Sequence, residues 1–140
     1  MSKQNKNNNR KINGAEAPEV LVVNDHKIML DAFQACLESL PCRIILADTL
    51  EQMREHLRRS GPSIRLIILD RNMGGGKTTD KDLVLVKEQF PGIVVIGASS
   101  SEESRRQQMA LGCDYVCAPA DVDKLLEIVS QVLPRASIAA

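Results

Sequence analysis

The stretch that decides the fold is "LIILDRNMGGGKTT", Leu66 to Thr79. Apolar residues run into an aspartate, Asp70, and then into glycines that end in Gly76-Lys77-Thr78. The second half suggests a nucleotide-phosphate loop. Such a loop needs another glycine five residues ahead of its Gly-Lys-Thr, so that backbone N–H groups cradle the phosphates. Arg71 stands there. In nucleotide enzymes the magnesium-binding strand also follows the loop at a distance, whereas here "LIILD" directly precedes the glycines. The first half therefore governs: a buried strand that carries a carboxylate to its tip, with Gly74–Gly76 as a flexible loop beside it.

Working outward, the same grammar repeats. "EVLVVND" (19–25), "RIILAD" (43–48), "RLIILD" (65–70), "IVVIGA" (93–98) and the short "DYVCA" (114–118) are apolar runs that stop at polar or small residues. Strands buried on both faces read this way. Between them lie helical patterns. "HKIMLDAFQACLESL" (26–40) places Ile28, Leu30, Phe33, Cys36, Leu37 and Leu40 near helical spacing, and Pro41 ends it. "TLEQMREHLRRSG" (49–61) has Thr49 as N-cap, Gln52 three residues on and Gly61 at its end. "KDLVLVKEQF" (81–90) is closed by Pro91-Gly92, "SEESRRQQMALG" (101–112) opens on Ser101 and two glutamates, and "DVDKLLEIVSQVL" (121–133) opens on Asp121. Five strands alternating with five helices predict an α/β fold with a doubly wound parallel sheet covered on both faces. Its crevice lies beyond the carboxyl ends of the strands. The residues there are Asn24 and Asp25, then Asp70, then Gly97 and Ala98, then Ala118 and Pro119.

Composition narrows the function. The chain has 140 residues, enough for one domain with a real core. Eighteen basic residues balance eighteen acidic ones, so no net field draws it to nucleic acid or to an anionic membrane. No apolar run approaches the roughly 20 residues of a membrane span, and no signal-peptide core is visible. The expectation is a cytoplasmic protein with no nucleic acid and no membrane partner. Cys36, Cys42, Cys113 and Cys117 lack zinc-finger companions and read as buried thiols. With two Phe, one Tyr and no Trp, the core is aliphatic and base-stacking surfaces are lacking. Residues 1–17 are polar without an apolar period and read as a disordered tail. Residues 18–134 form the domain, and 135–140 a C-terminal tail or linker.

Asp25 and Asp70 end neighbouring strands in such a topology. Two carboxylates and a backbone carbonyl two residues after Asp70 make an oxygen-only set suited to Mg2+. A carboxylate beside that ion is a candidate acceptor for a phosphoryl group, a transfer that needs positioning and charge neutralisation.

With these residues in view, Glu19 to about Leu133 resembles a response-regulator receiver domain of two-component signalling. "VLVVNDHKIML" resembles the strand-one motif of adjacent acids, with Asn24 in the first acidic position and Asp25 in the second. "LIILDRNM" resembles the phosphoacceptor strand: Asp70 falls on the acceptor, Asn72 on the residue whose backbone carbonyl binds the metal, Met73 on the usual methionine. "ALGCDYVCAPAD" resembles the segment with a switch aromatic and a Lys-Pro pair, so Tyr115 is the aromatic and Pro119 the proline, after a cis bond. The resemblance implies a flavodoxin-like, CheY-like (βα)5 fold with strand order 2-1-3-4-5. It also implies Mg2+ binding, a histidine kinase or other signalling protein as partner, and no enzymatic activity beyond self-catalysed transfer onto Asp70.

The departures carry equal weight. Gly97 stands where the family has a Thr or Ser whose hydroxyl follows the phosphoryl group, and Ala118 where it has a lysine that contacts the phosphoryl oxygens. Asn24 removes an acidic charge. Loss of the lysine alone deletes a charge-assisted contact worth roughly 1.5–3 kcal/mol. The reading is an atypical or pseudo-receiver, with Mg2+ and phosphorylation weak or absent, that signals by docking. Its surface is the fourth helix, fifth strand and fifth helix, carrying Arg105, Arg106, Gln108, Tyr115, Asp123 and Lys124, which the family also uses for homodimers. The alternatives are a working Mg2+-dependent receiver modified at Asp70 by a histidine kinase and, more distantly, a nucleotide-binding protein using the "GGGKTT" loop.

Blander roles compete at each position. Asp25 is placed to cap the first helix and Asp70 to cap a turn. His26 and His56 read as surface residues, with no metal spacing. Ser99, Ser100 and Ser101 offer a hydroxyl displaced from its usual place, but loop and cap roles are favoured. Lys77 or Arg71 would have to swing toward the crevice to replace the missing lysine's charge. The chain acts alone or as a piece of a longer regulator.

Overall fold

The computed structural model describes residues 11–12, 15–16 and 17–133. Most of the expected tails, 1–17 and 135–140, lie outside the described residues. Within the first of them, Lys11–Ile12 pairs antiparallel with Ala15–Glu16, and Ala17 is buried.

The main sheet has five parallel strands. β1 (Glu19–Val23) pairs with β2 (Arg43–Ala47) on one side and β3 (Ile64–Leu69) on the other; β4 (Val94–Gly97) and β5 (Tyr115–Val116) extend the β3 side. The order is β2-β1-β3-β4-β5, the 2-1-3-4-5 arrangement of a flavodoxin-like fold. Successive strand side chains point to opposite faces, and the sequence serves both. Val20, Val22, Leu66, Ile68 and Ile96 face α1 (Lys27–Leu37) and α5 (Val122–Val132), meeting Leu30, Phe33, Leu37, Leu125, Ile128 and Val129. Leu21, Val23, Ile67, Leu69 and Val95 face the other way, onto Met53 of α2 (Leu50–Ser60) and Leu83 and Val86 of α3 (Asp80–Gln89). Each such side chain contributes about 1.5–3 kcal/mol when fully buried. α4 (Glu102–Ala110) completes the set.

Helix starts follow local chemistry. Thr49 Oγ1 accepts from Gln52 N–H at 3.0 Å, Ser101 Oγ from Ser104 N–H at 3.0 Å, and Asp121 Oδ1 from Lys124 N–H at 3.3 Å. Gly61 does not turn left-handed to stop α2; at φ −45° it continues into a single 3-10 turn, Gly61–Ser63. Ion pairs then tie elements together: Arg54 of α2 holds Asp82 of α3 through two bonds of 2.8 and 3.1 Å, and Lys87 Nζ reaches Asp114 Oδ2 at 2.7 Å.

Three expectations are corrected. Ile28 is 82 % exposed, because it lies about 200° around α1 from Leu30 and so opposite the Leu30–Phe33–Leu37 stripe. The Ala118–Pro119 bond is trans, not cis. Trans is the lower-energy isomer by about 0.5–1 kcal/mol even before proline, and the turn closes with it through Asp121 N–H to Ala118 O at 3.0 Å. Gln108, assigned to the docking surface, is buried at 0 % exposure. The cause is Gly97: without a side chain it leaves a notch that the Gln108 carboxamide fills, its Oε1 only 2.5 Å from where a Cβ would stand.

Candidate functional site

At the carboxyl ends of β1 and β3 the sheet delivers Asp25 and Asp70 side by side. The parallel register carries Val23 opposite Leu69, and Asp70 N–H donates to Val23 O at 3.0 Å, so the two chains leave the sheet at the same height. Asn24 is buried. Its Oδ1 accepts from His26 N–H at 2.8 Å, an Asx turn that starts α1 and leaves Asp25 free of capping duty. Ligand atoms of Asp25, His26 and Asp70 all lie within 4.8 Å of one another. His26, which spacing alone did not assign to the site, is exposed and brings Nδ1 to 3.1 Å from Asp25 Oδ1.

Thr79 and the glycines shape one wall. Thr79 N–H donates to Arg71 O at 2.9 Å, Met73 N–H to Lys77 O at 3.0 Å, and Asn72 faces Thr78 in an antiparallel bridge. The loop is thus a small hairpin, with Gly74, Gly75 and Gly76 at φ +81°, +61° and +76°, a run that side chains disfavour. It does not wrap the start of α3 as a phosphate loop would. It folds over the carboxylates instead: a Cβ on Gly74 would stand 3.0 Å from Asp25 Oδ2. Because Asn72 occupies the bridge position whose own N–H and carbonyl point away from the partner strand, its carbonyl is not consumed by the hairpin. Thr79 Oγ1 donates to Asp70 O at 2.8 Å and pins the turn from below.

Asp70 itself is partly buried, and burial pushes its carboxyl above the ordinary carboxylate range. The Asn72 N–H opposes this, the Asp25 charge adds to it, and the Ser99 hydroxyl and Arg71 N–H oppose it further. No basic side chain enters this balance. Arg71 turns away to grip Asp80 with two bonds of 3.0 Å, Lys77 is exposed on the hairpin, and position 118 is alanine.

Serine 99 supplies what the glycine at 97 does not. Its hydroxyl lies 3.3 Å from Asp70 Oδ1 and 3.0 Å from Gln108 Oε1, and it accepts from Arg71 N–H at 2.9 Å. Of the three serines, Ser101 is the cap, as expected, and Ser99 belongs to the site. Arg105 Nη1 donates to Ser99 O at 2.7 Å and to Ser100 O at 3.0 Å, holding that loop in place. On the neighbouring face Arg106, Tyr115, Asp123 and Lys124 are exposed, with Met109 and Val122 among them.

The donor set fits a hard divalent cation. Asp25 Oδ1 is buried and accepts no hydrogen bond among the described residues, with His26 Nδ1 standing 3.1 Å from it; Asp70 is repelled by Asp25, and the Asn72 carbonyl is free of the hairpin. A cation held between the carboxylates would give the first oxygen a ligand bond and would relieve the repulsion.

Comparison with known proteins places this geometry. A family model described as the response regulator receiver domain matches residues 20–130. No curated protein matched. Among solved structures, a response regulator from Thermotoga maritima aligns with 24 % identity and a TM-score of 0.70, covering 83 % of this chain and 97 % of its own. A receiver domain protein from Clostridium thermocellum gives 17 % identity, TM-score 0.74 and coverage of 88 % and 99 %. The chemotaxis protein CheY4 of Vibrio cholerae gives 19 %, 0.70, 84 % and 99 %. At these identities the structures speak to fold, and they agree with the sheet order described above. With a family model spanning residues 20–130 and the parallel sheet that brings Asp25 and Asp70 together, the chain belongs to the response regulator receiver domain family.

Proposed function

We propose that the protein is a receiver-type signalling module of a two-component or phosphorelay system whose output is docking to a partner protein, with Asp70 modified weakly or not at all. The observation that carries this reading is the uncompensated acceptor: no basic side chain lowers the Asp70 carboxyl, with Ala118 at the lysine position and Arg71 committed to Asp80. Transition-state charge on a transferring phosphoryl group therefore lacks the lysine ammonium that usually helps to oppose it. A histidine kinase or another signalling protein is the expected partner. The docking face is Arg106, Tyr115, Asp123 and Lys124 with exposed Met109, on α4, β5 and α5, and a homodimer through it is part of the proposal. A cytoplasmic location goes with this reading; no helix among the described residues is long and apolar enough to cross a membrane.

A second reading, a Mg2+-dependent phosphoacceptor, draws support from Ser99 and from the closely set oxygens of Asp25 and Asp70. In that chemistry the P–N bond of a kinase phosphohistidine breaks, a P–O bond forms to an Asp70 oxygen, and the leaving imidazole takes a proton from solvent. Asp25, Asp70 and the Asn72 carbonyl would hold Mg2+, which supplies positive charge against the phosphoryl oxygens. Ser99 Oγ–H then donates to the new group, and Asn72 N–H steadies the carboxyl.

The test is incubation with Mg2+ and acetyl phosphate, or with beryllofluoride, read by intact mass and by amide shifts of Arg71 and Asn72. The docking reading expects no adduct, or a sparse one. A full Mg2+-dependent adduct that Asp70→Asn abolishes replaces it with the second.

A further inference from the structure

Gln108 is the most deeply buried polar side chain among the described residues, on a helix whose other polar side chains mostly face solvent. It sits in the Gly97 notch so tightly that a Cβ there would come within 2.5 Å of Oε1 and 2.7 Å of Cδ. Its Nε2 donates to Leu69 O at 2.9 Å, on the residue just before Asp70. Its Oε1 accepts from Ser99 Oγ at 3.0 Å, and the same Oγ is 3.3 Å from Asp70 Oδ1.

A serine hydroxyl has one proton to give. Here two acceptors compete for it, a neutral carbonyl at the shorter distance and a carboxylate at the longer. The Arg71 N–H, donating to the same oxygen at 2.9 Å, fixes the oxygen and leaves only the proton to turn. The arrangement is a two-position donor whose resting place depends on how strongly Asp70 attracts it. If Ser99 turns its proton to Asp70, the Gln108 carbonyl is left short of a partner in a place closed to water, which is costly.

We propose that Ser99 and Gln108 together couple the chemical state of Asp70 to helix α4. Gln108 is a positioning residue that acts through Ser99. When the oxygens at Asp70 become stronger acceptors, Ser99 turns its proton to them, Gln108 Oε1 loses its donor, and α4 readjusts around the freed carboxamide. Gly97 is the complement of this device, because any side chain there would evict Gln108. The use of the relay as a switch rests on the phosphoacceptor reading; the relay itself does not.

The experiment follows the Gln108 side-chain amide by 15N–1H NMR. Asp70→Asn replaces the anion with a weaker acceptor of the same shape, and is made with Ser99 intact and in the Ser99→Ala background. We expect Asp70→Asn to move the Gln108 Nε2 resonances and change their solvent exchange when Ser99 is present, and to leave them still in Ser99→Ala. Ser99→Thr, which keeps the hydroxyl, retains the response. An equal movement in both backgrounds, or none while the Arg71 amide shifts, overturns the proposal. If Ser99→Ala does not fold, Ser99→Cys, a weak donor of similar size, makes the same comparison. Beryllofluoride with Mg2+ adds a separate arm: an adduct seen at Arg71 and Asn72 should move Gln108 only through Ser99. A missing adduct sinks the phosphoacceptor reading and leaves the Asp70→Asn comparison to decide the relay.

Discussion

Gly97 and Gln108 share one volume, and no side chain can enter at position 97 unless Gln108 moves. Gly97→Ser places a side chain where the carboxamide now lies, and forced repacking of this kind costs about 1–3 kcal/mol. The loss should shrink when Gln108→Ala is combined with it, since the two occupy one space. Urea denaturation of the two single variants and the double variant measures the coupling, and strict additivity would refute the shared notch. This pair also marks where sequence reading stopped. Asp25 and Asp70 were legible because a buried strand must end somewhere and both acids stand at such ends. Gln108 was not: on an amphipathic helix a glutamine defaults to the surface, and its partners Gly97, Ser99 and Leu69 come from other segments. Ser99 reads in the sequence as no more than a displaced hydroxyl in a loop, since nothing local distinguishes it from the cap at Ser101. His26 joins the site through an Asx turn whose acceptor, Asn24, reads in the sequence only as a degenerate acid.

The hairpin from Asn72 to Thr78 is the element in which chemistry and backbone geometry meet. Its tip needs left-handed residues, and a left-handed L-residue costs roughly 1–2 kcal/mol. Gly75 has φ +61° and open space around a Cβ, so Gly75→Ala isolates that strain without a clash. A lower urea midpoint is expected for Gly75→Ala and a smaller loss for Gly75→Asn, which tolerates the region better; equal midpoints would mean the turn relaxes to another form. Signals at this scale were legible where they were local, as with the caps Thr49, Ser101 and Asp121. They misled where geometry depends on surroundings. The triglycine read as loose chain because the Met73–Lys77 and Arg71–Thr79 bonds that close it are not encoded in any one residue. The proline at 119 read as cis by resemblance, while the turn closes in trans.

At the scale of the molecule, charge is balanced and stability at mild acid falls to single groups. His56 of α2 is partly buried against β2, and burial, then the Arg59 charge, hold its imidazole below its ordinary value of 6.5. The neutral form is thus favoured in the folded state. That contribution is fully present above the unfolded value and is lost as pH falls through the folded one. The wild-type urea midpoint should therefore drop more than that of His56→Gln between about pH 7 and about pH 5; a parallel drop would assign the acid loss elsewhere. The strand order has a further bearing, on how the chain folds. β1, which lies between β2 and β3, is the first of the five to leave a ribosome, and its two neighbours are complete once Leu69 has emerged. β4 and β5 only lengthen one edge. α5 is different, because Leu125, Ile128 and Val129 close the sheet face that α1 covers only in part. A nascent chain stopped before them would carry Leu66 and Ile68 uncovered, so arrival of the last helix separates a folded receiver from a sticky half-sheet. Native-state amide exchange should accordingly be slowest in β1 and β3 and fastest in β5.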